Sequence, residues 1–194
     1  MVLNVVTNVL AVIGGGIVFT GFQDSLMPRA STFDPKHGDS AIRVAVALNG
    51  GKPGGKHFDP QGADGRAPGV LVYNPLYDYV GHSDWKHRPH IASGSYTDLT
   101  IYQGEGPGQQ APWIQLYAGD DAICVAYVSQ RMNDGTELGW LGDMGRACGQ
   151  NWYHSNILLE GSDRSPDCVW LNRDHSRDKT GSGNAAVQIN MPVI

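Results

Sequence analysis

From Asp120 to Ser129 the chain reads Asp-Asp-Ala-Ile-Cys-Val-Ala-Tyr-Val-Ser, a run that is apolar on both of its alternating faces from Ala122 to Val128. Successive side chains of a strand point to opposite sides of its sheet, so a strand with two apolar faces is stable only where both are covered. The run therefore predicts a sheet centre, with Cys124 buried in it as a small hydrophobe. The rest of the chain has to supply neighbouring strands and the layers above and below.

Strand candidates are plentiful. Ala41 to Leu48 sets Ile42, Val44, Val46 and Leu48 against Arg43 and alanines, which is the two-residue alternation of a strand. Gly69 to Tyr73, Tyr77 to Val80, Tyr96 to Tyr102, Trp113 to Ala118, Leu138 to Leu141, Trp152 to Leu159, Cys168 to Leu171 and Ala185 to Ile189 add to the set. Asn133-Asp134-Gly135-Thr136 reads as a hairpin turn, because Asp-Gly accepts the positive backbone angles that a tight turn needs. With 26 glycines and 11 prolines for turns and only 17% charged residues, the composition suits short strands joined by many loops. We expect a mainly β fold, an antiparallel β-sandwich or barrel, forming one domain over residues 1–194. Residues 1–28 are expected to dock on it as a helical segment, since Val2, Val5, Val6, Val9, Leu10, Ile13 and Ile17 follow a three-and-four spacing. Asn49 to Arg66 is a Gly- and Pro-rich loop, long enough to suggest a function of its own.

Charge and hydropathy remove several classes of function. The net charge is −5 and the basic residues are scattered, whereas a nucleic-acid surface needs clustered Lys and Arg. No apolar stretch is long enough to cross a membrane as a helix. The first 28 residues hold no Lys or Arg and Gly14 to Gly16 interrupt their apolar run, so no secretory signal is visible. A secreted form with its leader removed and an intracellular protein both fit. Three cysteines leave one thiol over; with Cys124 in the core, Cys148 and Cys168 in polar, turn-rich flanks are the expected disulfide.

The densest chemistry lies between Gly139 and Asn156, which holds Trp140, Asp143, Arg146, Trp152, Tyr153 and His154. Trp140, Trp152 and Tyr153 would give a ligand site its contact area while the polar groups fix orientation. The same residues would also make a plain structural corner, with the indoles in the core and Asp143 paired to Arg146. If the segment is catalytic, His154 is the candidate base, Asp143 its orienting acid, and Tyr153 or Arg146 the group facing developing negative charge. No Gly-x-Ser-x-Gly elbow and no phosphate loop occur. His82, His87 and His90 read as solvated loop histidines, since Lys86 and Arg88 between them would repel a cation. Asp59 with Asp64, or Asp120 with Asp121, could offer oxygens to calcium but lack EF-hand spacing, and the last pair reads more simply as a strand-entry turn. No metal and no cofactor is therefore predicted.

Asp120 to Tyr127, Gly139-Trp140-Leu141-Gly142-Asp143, Cys148-Gly149, Trp152 to Asn156 and Pro166 to Leu171 together resemble a group of small, β-rich, secreted-type filamentous-fungal proteins without an assigned activity. Asn8-Val9-Leu10 through Gly14-Gly15-Gly16, and Arg43 to Val46, are similar to the same group. The resemblance implies a fungal source and an extracellular or pathway-associated setting, and lends no catalytic residue. The Lys52 to Gly62 loop and the histidine segment depart from the pattern. We expect a non-catalytic protein binding a small ligand, a glycan or a protein partner. The alternative is a cofactor-free cyclase, isomerase or hydrolase acting on an apolar small molecule in fungal natural-product biosynthesis, since a shaped pocket can orient a substrate without leaving a motif.

Overall fold

A computed structural model describes residues 11–13, 16–18, 26–34, 37–49, 62–159, 163–173 and 185–191. Among these, the strands in chain order are β1 (Ala11–Ile13), β2 (Gly16–Val18), β3 (Ser40–Val46), β4 (Gly65–Arg66), β5 (Gly69–Tyr73), β6 (Tyr79–Ser83) and β7 (His90–Ile91). They continue with β8 (Tyr96–Tyr102), β9 (Trp113–Tyr117), β10 (Ile123–Arg131), β11 (Glu137–Leu141), β12 (Trp152–His154), β13 (Asp167–Leu171) and β14 (Ala186–Asn190). One short α-helix, α1 (Asp143–Ala147), and a 3-10 turn at Ala30–Thr32 were not foreseen from the sequence.

The fold is mainly β. Its principal sheet is antiparallel and curled, in the order β12-β13-β10-β3-β8-β6-β5-β9-β14, with β11 also paired to β10. β10 is the interior strand, paired along both edges, that its composition demands. Ile123 to Val125 pair with β13 and Tyr127 to Arg131 with β11, while β3 runs along the other edge with a register shift between Val125 and Tyr127. The inner face is the core, with Ile42, Val44, Val72, Ile101, Ile114, Leu116, Ala126, Val128 and Ile189 all buried. On the outer face of the sheet centre Leu26, Leu141 and Leu159 pack with Ala45 and Tyr127 as a second apolar layer. Both faces of β10 are thereby covered.

That second layer changes the reading of Arg43. Alternation assigns it to an open face, yet it is only 2% exposed, because the outer face is covered there. A buried charge must be paired, and Asp98 on β8 accepts from both Nε (2.7 Å) and Nη2 (2.9 Å) of its guanidinium. The Tyr96 ring lies 3.8 Å from the guanidinium carbon.

The hairpin at Asn133 to Thr136 forms as expected, with Gly135 at φ +84° and the Met132 N–H donating to the Thr136 carbonyl at 2.9 Å. Two expectations need correction. Where an amino-terminal helix was expected, Ala11–Ile13 and Gly16–Val18 pair as antiparallel strands; Val2 to Leu10 lie outside the described residues. Val and Ile suit an extended strand at least as well as an amphipathic helix. The disulfide joins Cys124 to Cys168, with Cα atoms 5.4 Å apart, and Cys148 is a free, exposed cysteine. Its cause is pairing of distant strands: Cys124 faces Trp170 across β10 and β13, which sets Cys168 diagonally beside it on the same buried side. No helix among the described residues is long and apolar enough to cross a membrane.

Candidate functional site

The residues singled out between Gly139 and Asn156 fold into a corner made by α1, β12 and β13. Gly142 and Gly145 permit it: a Cβ on Gly142 would stand 2.3 Å from the Asp167 carbonyl oxygen and one on Gly145 2.0 Å from Val169 Cγ2. Trp140 is only 6% exposed and fills the main core. Asp143 accepts from the Asp167 backbone N–H (2.7 Å) and from Arg164 (2.5 Å), and not from Arg146 or His154. Asp167, buried at the start of β13, takes the part assigned to Asp143: His154 Nδ1 lies 3.0 Å from its Oδ1, and Arg146 Nη1 donates to its Oδ2 at 3.3 Å. Arg146 also covers Trp152 at 4.2 Å, and Trp152 meets His154 edge-on. Tyr153 points the other way along the strand, against Trp170. Arg146, Trp152 and His154 therefore come together on one side, while Trp140, Asp143 and Tyr153 stand apart from them.

Elsewhere, His87 pairs with Asp84 (2.8 Å) and His90 lies between Asp64 (3.3 Å) and Asp121 (3.8 Å). Asp121 caps the Arg66 N–H and Asp120 pairs with Arg173, so both carboxylates are engaged at the entry to β10. Among the described residues no group of three or more His, Cys, Asp or Glu is arranged to hold a metal. Asp59 lies outside the described residues.

A larger set, on the outer face of β5, β9 and β14, was not singled out from the sequence. Strand alternation sends Val70, Val72, Ile114, Leu116, Val187 and Ile189 inward and leaves three cross-strand rows outward. Register makes these rows Tyr73–Trp113–Asn190, Leu71–Gln115–Gln188 and Gly69–Tyr117–Ala186. Tyr77, from the turn between β5 and β6, folds back over them. It stacks on Tyr73 with ring centres 4.7 Å apart and planes 5° from parallel, and it meets Trp113 edge-on at 5.7 Å.

Gln115 ties the face together through all four of its amide positions. Its Oε1 accepts from Tyr73 (2.8 Å) and Tyr117 (2.6 Å), and its Nε2 donates to Tyr77 (3.0 Å) and Gln188 (3.2 Å). Tyr77 in turn donates to Gln188 Oε1 at 2.8 Å. Beyond Tyr73, Tyr79 continues the set, its hydroxyl 2.6 Å from His82 Nδ1. Burial pushes the Tyr73 and Tyr79 hydroxyls up from the ordinary range, helped at Tyr73 by Tyr117 and Tyr77 and at Tyr79 by Glu105. Stacking and the hydrogen bonds to Gln115 and His82 fix the rings.

The backbone is strained to achieve this. Tyr77 sits at φ +69°, a left-handed conformation that costs a side-chain-bearing residue roughly 1–2 kcal/mol. Asn74 holds it there: its Oδ1 accepts from the Leu76 (3.0 Å) and Asp78 (2.9 Å) N–H groups, and its carbonyl accepts from Tyr77 itself. Tyr77 nonetheless remains 43% exposed. The legible trace of this face is Trp113-x-Gln115-x-Tyr117, whose alternate positions are all aromatic or amide. No protein-family model matches the chain, and a search of curated proteins finds no match either.

Proposed function

We propose that this protein is a glycan-binding module that engages sugar through the outer face of β5, β9 and β14. The observation that carries the reading is Tyr77: a strained, half-exposed aromatic residue locked by Asn74 and Gln115 beside Tyr73 and Trp113. Strain that surrounding structure sustains without burying the side chain gathers where a group must be presented. Aromatic faces attract the weakly positive C–H bonds on one side of a sugar ring, and the amides and phenols around them match its hydroxyls. Among the described residues Gln188 acts only as an acceptor, through Oε1, which leaves its Nε2 donors for a ligand. Because the rings are already fixed, little side-chain entropy is lost on binding.

The sheet's curl and filled interior favour an incomplete barrel as the form of this fold. A secreted fungal setting follows from the resemblance, and a disulfide suits an oxidising compartment. The test is affinity electrophoresis and calorimetry against neutral polysaccharides, with Tyr77→Gly and Trp113→Ala as probes. Tyr77→Gly relieves the left-handed strain but also removes the Tyr73 stack, the Trp113 edge contact and the hydroxyl's bonds to Gln115 and Gln188, so its unfolding midpoint is expected to fall by several degrees while the protein still folds and binding is lost. Wild-type protein that binds no polysaccharide or oligosaccharide, neutral or acidic, overturns the reading.

The alternative of a cofactor-free enzyme draws on a different observation. A half-exposed His154 oriented by the buried Asp167 has the arrangement of a general base. Turnover of a 4-nitrophenyl ester that is abolished by both His154→Ala and Asp167→Asn would favour it.

A further inference from the structure

Resting on the glycan reading, we infer that the ligand is a linear, uncharged oligosaccharide lying along β9, and that Trp85 grips its far end. Trp85 follows β6, in a loop built on Asp84, whose Oδ1 accepts from the Lys86 (2.8 Å) and His87 (3.3 Å) N–H groups and whose Oδ2 pairs with His87. The loop turns the indole back across the sheet. There it meets Tyr117 edge-on at 6.0 Å and lies directly above Gly69, where a Cβ would stand 2.1 Å from Cζ3. Gly69 is thus the seat of the indole, which stays 44% exposed. The outward face consequently has an aromatic group at each end: Tyr77 with Tyr73 and Trp113 at one, Trp85 with Tyr117 at the other. Between them runs the Leu71–Gln115–Gln188 row.

Trp113 and Tyr117 are four residues apart on one extended strand, roughly 13 Å. A single sugar ring cannot touch both ends, whereas a short chain of rings can. The Leu71–Gln115–Gln188 row and the aromatic groups at its two ends carry no formal charge. An acidic glycan would find no cation between the two ends, since Lys86 and Arg88 flank Trp85 at the far end only, with the Arg88 guanidinium against Gly119, and it would meet a protein of net charge −5.

Calorimetry with neutral gluco- and chito-oligosaccharides, from disaccharide to hexasaccharide, tests this beside acidic oligosaccharides of equal length. Affinity for the neutral series is expected to rise with length and then level off. Trp85→Ala lowers affinity for the longer ligands by about tenfold while leaving the disaccharide unaffected. Gly69→Ala gives the same loss with the indole still present, because the added methyl displaces it; thermal unfolding and circular dichroism verify that both variants fold. Equal affinity at every length, or full affinity in Trp85→Ala when Tyr77→Gly has lost it, overturns this inference and leaves the glycan reading standing. Preference for the acidic series overturns the uncharged ligand alone. Absence of any glycan binding by the wild type removes both.

Discussion

Tyr77 and Tyr127 show how differently the same side chain is used in this molecule. Tyr77 is held out at a strained backbone angle, whereas Tyr127 is 5% exposed on the outer face of β10 beneath the second apolar layer. Burial pushes the Tyr127 hydroxyl up to about 12, against a smaller opposing pull from Arg43. The folded protein therefore keeps a proton that the unfolded chain releases near pH 10. The stability tied to that proton is complete below about pH 10 and is lost as the pH climbs to about 12, on the order of 2–3 kcal/mol. Denaturant midpoints measured across that interval should fall, and Tyr127→Phe should fall less steeply. An identical slope in the two proteins would mean that Tyr127 does not govern alkaline unfolding.

At the level of elements, the disulfide ties β10 to β13 and encloses 44 residues of sequence separation, including β11, α1 and β12. Closing a loop of that length restricts the unfolded chain by up to about 4 kcal/mol in the chain-entropy account. Thiol titration of denatured, unreduced protein should find one reactive group, Cys148. Replacing Cys124 and Cys168 together with alanine should lower stability by several kcal/mol, while Cys148→Ser should stay within about 0.5 kcal/mol of wild type, as exposed sites do. The strands were largely legible in the sequence: β5 and β8 match their expected bounds and β9, β11, β13 and β14 differ by a residue at one or both ends, whereas the strand expected over Trp152 to Leu159 ends at His154, before Asn156 turns the chain at φ +56°. α1 was not legible, because Asp-Met-Gly-Arg-Ala is too short for a periodic signal and depends on contact with β13.

Across the whole molecule, most neighbouring strands are far apart in sequence: β3 lies between β8 and β10, and β13 reaches back to β10. Such pairings pay loop-closure entropy before any contact offsets it, so refolding is expected in milliseconds to seconds and not in microseconds. One domain over the full chain further requires a single cooperative heat-absorption peak. Two resolved peaks in calorimetry, or a calorimetric enthalpy far above the van't Hoff value, would divide the chain instead.

Alone, the sequence determined that the chain is mainly β and that Ile123 to Val128 must be its centre, because side-chain alternation is a local property of extended backbone. It also singled out Arg146, Trp152 and His154. Tertiary structure decided which cysteines meet, that Asp167 and not Asp143 holds His154, and that Tyr73, Tyr77, Trp85, Trp113, Gln115, Tyr117 and Gln188 form one face. Those residues are spread over more than a hundred positions. Only strand order and register bring them together, and both are set by which strands bury their inner faces best against one another, a condition on the whole sheet that no local pattern carries.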